Sequence, residues 1–245
     1  MSRPATILSL VLAAVFCTGT AAAGAAQTQT FTAGAELLQQ NAFGQWNVNL
    51  FVGATFGTDD GSPVSPVRSM RMSFPGGARF NGDAFKTCTK GQVVYGECPA
   101  ASKIGSGTAT TMLGTSTVDA QITVFNGPGN ANRRQLFFYS RALTTVEFVL
   151  YGTMRRTTGA YGYVMDVRVD PIIEDFIPGG VPITSFETTI GGVGRKRGKP
   201  VPLVSSPTAC RAGGWRYAAT FTRADGSSAT SNLAISCRLT ATPVS

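Results

Sequence analysis

Cysteines are the residues whose spacing most directly suggests chemistry. Cys88 and Cys98 lie ten positions apart in the segment CTKGQVVYGEC, and Cys210 and Cys237 follow near the C-terminal end. Zinc sites usually have Cys-x₂₋₄-Cys spacing and often histidine, whereas dithiol redox centres have Cys-x-x-Cys. The chain has neither spacing and contains no histidine. We therefore predict structural disulfides, with Cys88 to Cys98 and Cys210 to Cys237 favoured, and neither a metal site nor a cofactor.

Carboxylates are the next candidates, because a chain without histidine has no Ser-His-Asp triad and no Cys-His pair. The densest acidic cluster, VDPIIEDF, contains Asp170, Glu174 and Asp175. Two opposed carboxyl groups can hydrolyse a glycosidic bond. The simpler interpretation is that Asp170 ends a strand before Pro171 and that the other two acids face solvent. We expect no catalytic residue; the alternative is a carbohydrate-active enzyme or glycan-binding module that uses these acids.

Four cations are concentrated in the segment GRKRGKP, namely Arg195, Lys196, Arg197 and Lys199. The surrounding glycines and prolines predict a flexible loop. Such a loop either contacts phosphate, sulfate or carboxylate groups or is simply solvated. The whole chain carries 21 Lys and Arg against 13 Asp and Glu, a net charge of +8 that favours association with anionic polymers. A solvated loop is the simpler interpretation; the alternative makes these four residues a candidate anion-binding site, with an anionic cell-wall polymer or glycan as the partner.

Two further basic pairs occur near the ends of predicted strands. Arg133 is followed by Arg134, and Arg155 is followed by Arg156. If both pairs lie on the same face as the basic segment, the anion-binding hypothesis is strengthened. The sequence leaves that arrangement open.

The first residues predict a secretory signal peptide over residues 1–26. Arg3 supplies a positive start, ILSLVLAAVFC supplies a short apolar run, and small residues offer cleavage sites up to Ala26. The apolar run is too short for a transmembrane helix. Phe16, directly before Cys17, disfavours lipid attachment. We expect a secreted, extracellular or cell-surface protein with no transmembrane segment, no nucleic acid as partner, and an oligomeric state that the sequence leaves open.

Alternation of apolar and polar residues recurs along most of the chain, as in WNVNLFV and TVDAQITV. Runs of this kind, separated by Gly, Pro and Asn turns, indicate about ten strands. The pattern predicts an all-β, mainly antiparallel sandwich, of the jelly-roll or immunoglobulin-like type, that occupies residues 27–245 as one domain. Short helical turns are expected in NGDAFKTC and in GAELLQQN.

The C-terminal strands are expected to complete the main sheets. Asp225 and Gly226 stand between two alternating runs, which predicts a β-hairpin. Fewer than fifty residues follow Pro200, too few for an independent domain of two or three strands. Trp46 and Trp215 occur inside alternating runs, so we predict core positions for them rather than sugar-binding platforms.

Two stretches resemble a known group of sequences. Residues 98–110, CPAASKIGSGTAT, are similar to a recurring Cys-Pro-x-x-Ser-x-Ile/Val-Gly-x-Gly/Ala segment. The stretch LVSSPTACRAGGWRYAATFTRADGSSATSNLAISC is similar to a closing module with a Cys, a Trp, an Asp-Gly turn and a last Cys. Both patterns occur in uncharacterised exported, β-rich proteins of actinobacteria. The resemblance implies export and a β-rich architecture; it implies no substrate and no catalytic residue. Because histidine is absent, acidic residues are sparse and basic segments are present, we expect a structural or binding protein.

Overall fold

The computed structural model describes residues 26–40, 45–113, 115–142, 146–168, 182–210 and 212–236. These residues form fifteen strands and one short α-helix, and all the strand pairs among them are antiparallel. The predicted all-β, mainly antiparallel sandwich-like fold is confirmed. Most of the predicted signal peptide, residues 1–25, and the acidic cluster of Asp170, Glu174 and Asp175 lie outside the described residues.

The strands range in length from 2 to 14 residues. In chain order they are β1 (Gln27–Gln40), β2 (Trp46–Thr58), β3 (Val67–Pro75), β4 (Arg79–Phe80), β5 (Lys103–Leu113), β6 (Ser116–Gly129), β7 (Arg133–Ala142), β8 (Val146–Arg156), β9 (Tyr161–Arg168), β10 (Ile183–Ile190), β11 (Val193–Lys196), β12 (Lys199–Pro202), β13 (Val204–Ser205), β14 (Trp215–Arg223) and β15 (Ser228–Ile235). Helix α1 spans Lys90–Val94, and 3₁₀ turns span Gly82–Ala84 and Ala100–Ser102. No helix in the described ranges has the length and apolar character needed to cross a membrane.

One sheet contains every described strand except β11 and β12, which pair only with each other. Its order is β15-β14-β3-β9-β8-β7-β6-β5-β10-β2, with β1 paired to β2 and the short strands β13 and β4 extending it. The outermost strands nevertheless meet in space, because Gln29 Nε2 on β1 donates to Ser231 Oγ on β15 at 3.1 Å. Arg223 Nη2 on β14 also donates to Thr28 O on β1 at 3.4 Å. The sheet therefore curves back on itself and supplies both layers of the fold.

The inner face of the curved sheet is one apolar core. Side chains alternate between the two faces of a strand, so every second residue points inward; Met72 of β3 is an example, 2% exposed. Across the interior, Phe221 of β14 packs against Phe31 of β1, Phe56 of β2 and Phe186 of β10, with ring centroids 6.4, 5.0 and 6.3 Å away. These contacts join strands that are far apart in the sheet order, and so they hold the curvature.

The strands that follow β12, namely β13, β14 and β15, belong to this same large sheet. Strand β14 lies between β3 and β15, and the predicted hairpin is confirmed, with Thr222 opposite Ser228 and Gly226 at a φ of 82° in the turn. Trp46 and Trp215 are partly buried and pack against the core, as predicted.

The prediction of a helical turn in GAELLQQN is wrong. Residues 34–40 continue β1, which pairs with β2 up to Gln40 opposite Trp46. Backbone pairing and the packing of Ala35 and Leu37 against the core outweigh the modest helical propensity of this segment. The other expected turn, in NGDAFKTC, is the 3₁₀ turn Gly82–Ala84.

We expect Phe221→Ala to lower the free energy of unfolding by about 3–5 kcal/mol, because it opens a cavity where four rings meet. Denaturant unfolding followed by tryptophan fluorescence measures the change. Tyr95→Ala is the control, since Tyr95 is 78% exposed and its truncation should change stability by less than about 0.5 kcal/mol. If Phe221→Ala lowered the free energy of unfolding as little as Tyr95→Ala, contacts other than this aromatic cluster would hold the curvature of the sheet.

Candidate anion-binding surface

Asn126 on β6 fixes the segment that leads into the first cysteine. The side chain is fully buried, and Nδ2 donates to Gly82 O at 3.1 Å and to Lys86 O at 2.9 Å. The backbone O of Asn126 accepts a hydrogen bond from Cys88 N at 2.8 Å. Since buried polar groups are stable only when they are hydrogen-bonded, these contacts bind residues 81–88 to the end of β6.

Arg134 on β7 anchors the same segment and does not face solvent. Its side chain is 4% exposed and forms an ion pair with Asp83 of the 3₁₀ turn. Nη1 and Nη2 also donate to Gly127 O and Gly129 O at 3.0 and 3.2 Å. The basic pair noted in the sequence is therefore divided: Arg134 points inward and Arg133 is exposed, because successive residues of a strand face opposite sides.

The predicted disulfide between Cys88 and Cys98 is confirmed. It closes a segment that covers part of the outer face of the sheet. Within this segment, α1 begins after Thr89 with a capping box, the reciprocal hydrogen bonding that stabilises a helix N-terminus. Cys88 and Val93 are fully buried against Phe137 of β7. The disulfide thus holds a second, smaller apolar cluster on the outside of the sheet.

Cys210 is also disulfide-bonded. Its predicted partner, Cys237, lies outside the described residues, so that pairing stays a prediction. No group of three or more Cys, His, Asp or Glu side chains placed to hold a metal ion occurs in the described part of the chain.

The segment predicted as a flexible loop is a β-hairpin, because its residues pair across a two-residue turn. Strands β11 and β12 pair, with Lys196 directly opposite Lys199. Arg197 and Gly198 form the turn, at φ values of 52° and 79°, and a two-residue turn of this kind matches the twist of paired strands. All four predicted cations, including Arg195, are exposed. We call β11, β12 and this turn the basic hairpin.

The base of the basic hairpin is docked on residues 81–88. A Cβ at Gly194 would overlap Ala84 O, so the two segments touch at the backbone. Asn81 Nδ2 donates to Pro202 O at 2.9 Å. Residues 81–88 therefore set the direction of the hairpin, and Asn126 and Arg134 hold those residues in place.

The basic hairpin and three exposed arginines lie at one end of the sheet. Strand β10, which precedes the hairpin, ends at Ile190 opposite Gly105, near the start of β5. Because the pairs are antiparallel, the start of β5 lies beside the end of β6, which in turn lies beside the start of β7. Arg133 there is opposite Arg155, and Arg156 follows it at the end of β8. With Arg134 excepted, the cations named from the sequence come together at this end.

Asp166 on β9 joins two arginines on the outer face. Arg71 Nε on β3 lies 2.6 Å from Asp166 Oδ1, and Arg155 on β8 pairs with Oδ2. Partial burial raises the pKa of Asp166, but the hydrogen bonds and charges of Arg155 and Arg71 outweigh this effect and hold the pKa below its ordinary value. The sequence reasoning missed this group, because its members lie on three strands and only the register brings them together.

No protein-family model matches this chain, and no curated protein or solved structure matches it either. The resemblance to exported proteins of actinobacteria therefore stays a prediction.

We expect Asp166→Asn to lower the free energy of unfolding at neutral pH, because it removes the charge that both arginines contact. A carboxyl group whose pKa is lower in the folded than in the unfolded chain stabilises the fold above the unfolded pKa, and this contribution is lost as the pH falls through the folded pKa. With an ordinary value of 3.8, the difference between the wild type and the variant should be constant above about pH 5 and shrink below it.

Denaturant unfolding of both proteins over a pH series measures this difference. Asp119→Asn serves as the control, since Asp119 is exposed and is not ion-paired within the described ranges. A difference between the wild type and Asp166→Asn that persists unchanged in acid would contradict the prediction.

Proposed function

We propose that the protein is exported, lacks catalytic activity, and binds an anionic cell-wall polymer or acidic glycan through the basic hairpin. The observation that carries the proposal is a set of exposed cations held in a fixed and unfavourable arrangement: Arg195, Lys196, Arg197 and Lys199. None of the four forms an ion pair within the described residues. Their charges are therefore free to contact a partner.

Arg197 has a left-handed backbone conformation, which residues other than arginine adopt more readily. Its φ of 52° lies in the left-handed region, where a residue with a Cβ is disfavoured by about 1–2 kcal/mol and Gly or Asn is the usual choice. Of the described residues, it alone has a positive φ without being glycine. Strain of this kind persists at functional positions. A guanidinium at the tip of the hairpin is thus present despite the conformational penalty.

Lys196 and Lys199 add a second unfavourable feature. They are directly opposite each other across the hairpin, and like charges in that position are destabilising. An anionic group bound between them would relieve this repulsion. Two independent features, strain and repulsion, therefore converge on the same short hairpin, and both favour binding over a purely structural role.

The expected export of the protein is consistent with an anionic polymer outside the cell as its partner. The signal-like N-terminus and the resemblance to exported proteins both support export. Because the chain has no histidine, its cationic charge barely changes between about pH 5 and 8. Phosphate-, sulfate- and carboxylate-bearing polymers outside the cell then meet the same charge over this range.

We expect neutralisation of the basic hairpin to abolish most of the binding to anionic polymers. The test variant carries Arg195→Gln, Lys196→Gln, Arg197→Asn and Lys199→Gln. Elution from a heparin-like resin and from immobilised anionic cell-wall polymer is measured against salt concentration. Each contact between a protein cation and the anionic polymer releases about one counterion when it forms. Loss of four such contacts should therefore reduce the magnitude of the negative slope of log affinity against log salt concentration by about three to four.

The matched control neutralises four exposed cations elsewhere. They are Arg68, Arg79, Arg141 and Arg216, none of which lies in the hairpin or in residues 81–88. This variant has the same net charge as the test variant, so it measures the effect of net charge alone, and we expect it to elute close to the wild type. If both variants elute together, the hairpin is not a binding site.

A single substitution separates function from stability. We expect Arg197→Asn to raise the free energy of unfolding by up to about 1 kcal/mol, because asparagine tolerates the left-handed conformation, and to weaken retention on the resin. Denaturant unfolding and salt elution are measured on the same sample. A variant that is more stable but equally well retained would contradict the role of Arg197.

A further inference from the structure

A groove of about 780 Å³ crosses the outer face of β8, β9, β3 and β14. Small-ligand sites have volumes of roughly 300–1,000 Å³. The floor of the groove contains a cross-strand row in which Thr153 is opposite Asp166, Asp166 is opposite Arg71, and Arg71 is opposite Thr220. Because adjacent strands lie about 4.8 Å apart, this row presents polar groups at regular intervals to an extended ligand. We call this feature the arginine groove.

The arginine groove contains more positive than negative charge. Arg71, Arg133, Arg155 and Arg168 line it together with one acid, Asp166. The side chains of Arg71 and Arg155 remain 62% and 46% exposed although both contact Asp166. Arg133 and Arg168 form no ion pair within the described ranges. The groove therefore has a net positive charge and at least two guanidinium groups available to an anion.

Arg133 and Arg155 are directly opposite each other on neighbouring strands. Like charges in this position repel, and a carboxylate or sulfate between them would remove the repulsion. A guanidinium presents parallel N–H donors that match two oxygens of such a group. This pair is the part of the groove best suited to the anionic group of a ligand.

The remaining polar groups suit hydroxyls rather than further anions. An ionised carboxylate accepts up to about four hydrogen bonds, and the two arginines leave part of the capacity of Asp166 unused. Thr153, Thr220 and Thr222 add hydroxyl groups to the lining. Asp166 repels a phosphate placed beside it but accepts hydrogen bonds from a sugar hydroxyl. The groove thus combines anion recognition with hydroxyl recognition.

The disulfide-closed segment borders this groove. Tyr151 lines the groove and also packs edge-on against Phe137, with ring centroids 5.8 Å apart, under the closed segment. Lys90 Nζ of α1 lies 4.7 Å from the centre of the Tyr151 ring, a favourable cation–π distance. The disulfide therefore fixes one wall and adds a further cation beside it.

We propose that the arginine groove binds an acidic oligosaccharide, one that carries carboxylate or sulfate groups as well as free hydroxyls. Arg133 and Arg155 hold the anionic group, and Asp166 and the threonines accept and donate hydrogen bonds to hydroxyls. The site shares its class of ligand with the basic hairpin but none of its residues, and it does not depend on the hairpin.

Calorimetric titration of the secreted protein tests the proposal with four probes. Tetragalacturonate carries carboxylates, a heparin-derived tetrasaccharide carries sulfates as well, cellotetraose is neutral, and tripolyphosphate has charge without sugar hydroxyls. We expect binding of at least one acidic tetrasaccharide, and the two acidic probes distinguish carboxylate from sulfate. Equal or tighter binding of cellotetraose or tripolyphosphate, or no binding of either acidic tetrasaccharide, would overturn the proposal.

Substitutions assign the binding to the arginine groove. Arg133→Gln and Arg155→Gln should each weaken the acidic tetrasaccharide about tenfold, the loss typical of one charge-assisted contact. Arg141→Gln is the matched control, because Arg141 is an exposed, ion-paired arginine on the same strand as Arg133 and pairs with Glu147 outside the groove. If the two groove variants bind like Arg141→Gln, the groove is not the site.

Three further variants separate the alternative explanations of a change in affinity. Arg155→Lys keeps the positive charge beside Asp166 but removes the paired N–H donors of the guanidinium. A lower affinity of this variant for the tetrasaccharide is therefore due to the lost donors and not to misfolding. Asp166→Asn should weaken the acidic tetrasaccharide and strengthen tripolyphosphate, and a parallel change of both would contradict hydroxyl recognition. The hairpin variant described above should keep tetrasaccharide affinity within about twofold, so failure of one site is distinguishable from failure of the other.

Discussion

The packing of Phe221 against Phe31, Phe56 and Phe186 is the contact on which the rest of the molecule depends. A single long sheet has two edges and two faces, and left open it would expose an apolar face to water. Bringing β14 over β1, β2 and β10 buries that face within one core. Aromatic rings suit this contact because each removes a large apolar area from water and packs well at an angle to its neighbours.

Burial of the inner face leaves the outer face to carry recognition. Part of it is covered by the disulfide-closed segment, which packs Cys88 and Val93 on Phe137. Asn126 and Arg134 direct the preceding residues toward that position and also support the base of the basic hairpin. Two buried polar side chains thus position both surfaces that we assign to binding. Asn126 Nδ2 donates to two backbone carbonyls of that segment, and Arg134 forms an ion pair with Asp83 within it, so the arrangement is specific.

The basic hairpin and the arginine groove share one physical feature, the close placement of like charges on paired strands. Lys196 is opposite Lys199, and Arg133 is opposite Arg155. Each pair opposes folding slightly. Each is tolerated because other contacts hold the strands that carry it: the hairpin is docked on residues 81–88, and β7 and β8 pair along most of their length within the main sheet. Proteins commonly retain such unfavourable local choices where activity requires them.

The sequence by itself determined the fold class, the Cys88–Cys98 disulfide, the hairpin at Asp225 and Gly226, and the cluster of cations from 195 to 199. Each of these depends on residues close in the chain, where period, spacing and turn preference act directly. It did not predict that residues 34–40 form a strand, that Arg134 is buried, or that Arg71, Asp166 and Arg155 meet. Those outcomes depend on which strands pair and in which register, and register is set by packing between residues far apart in sequence.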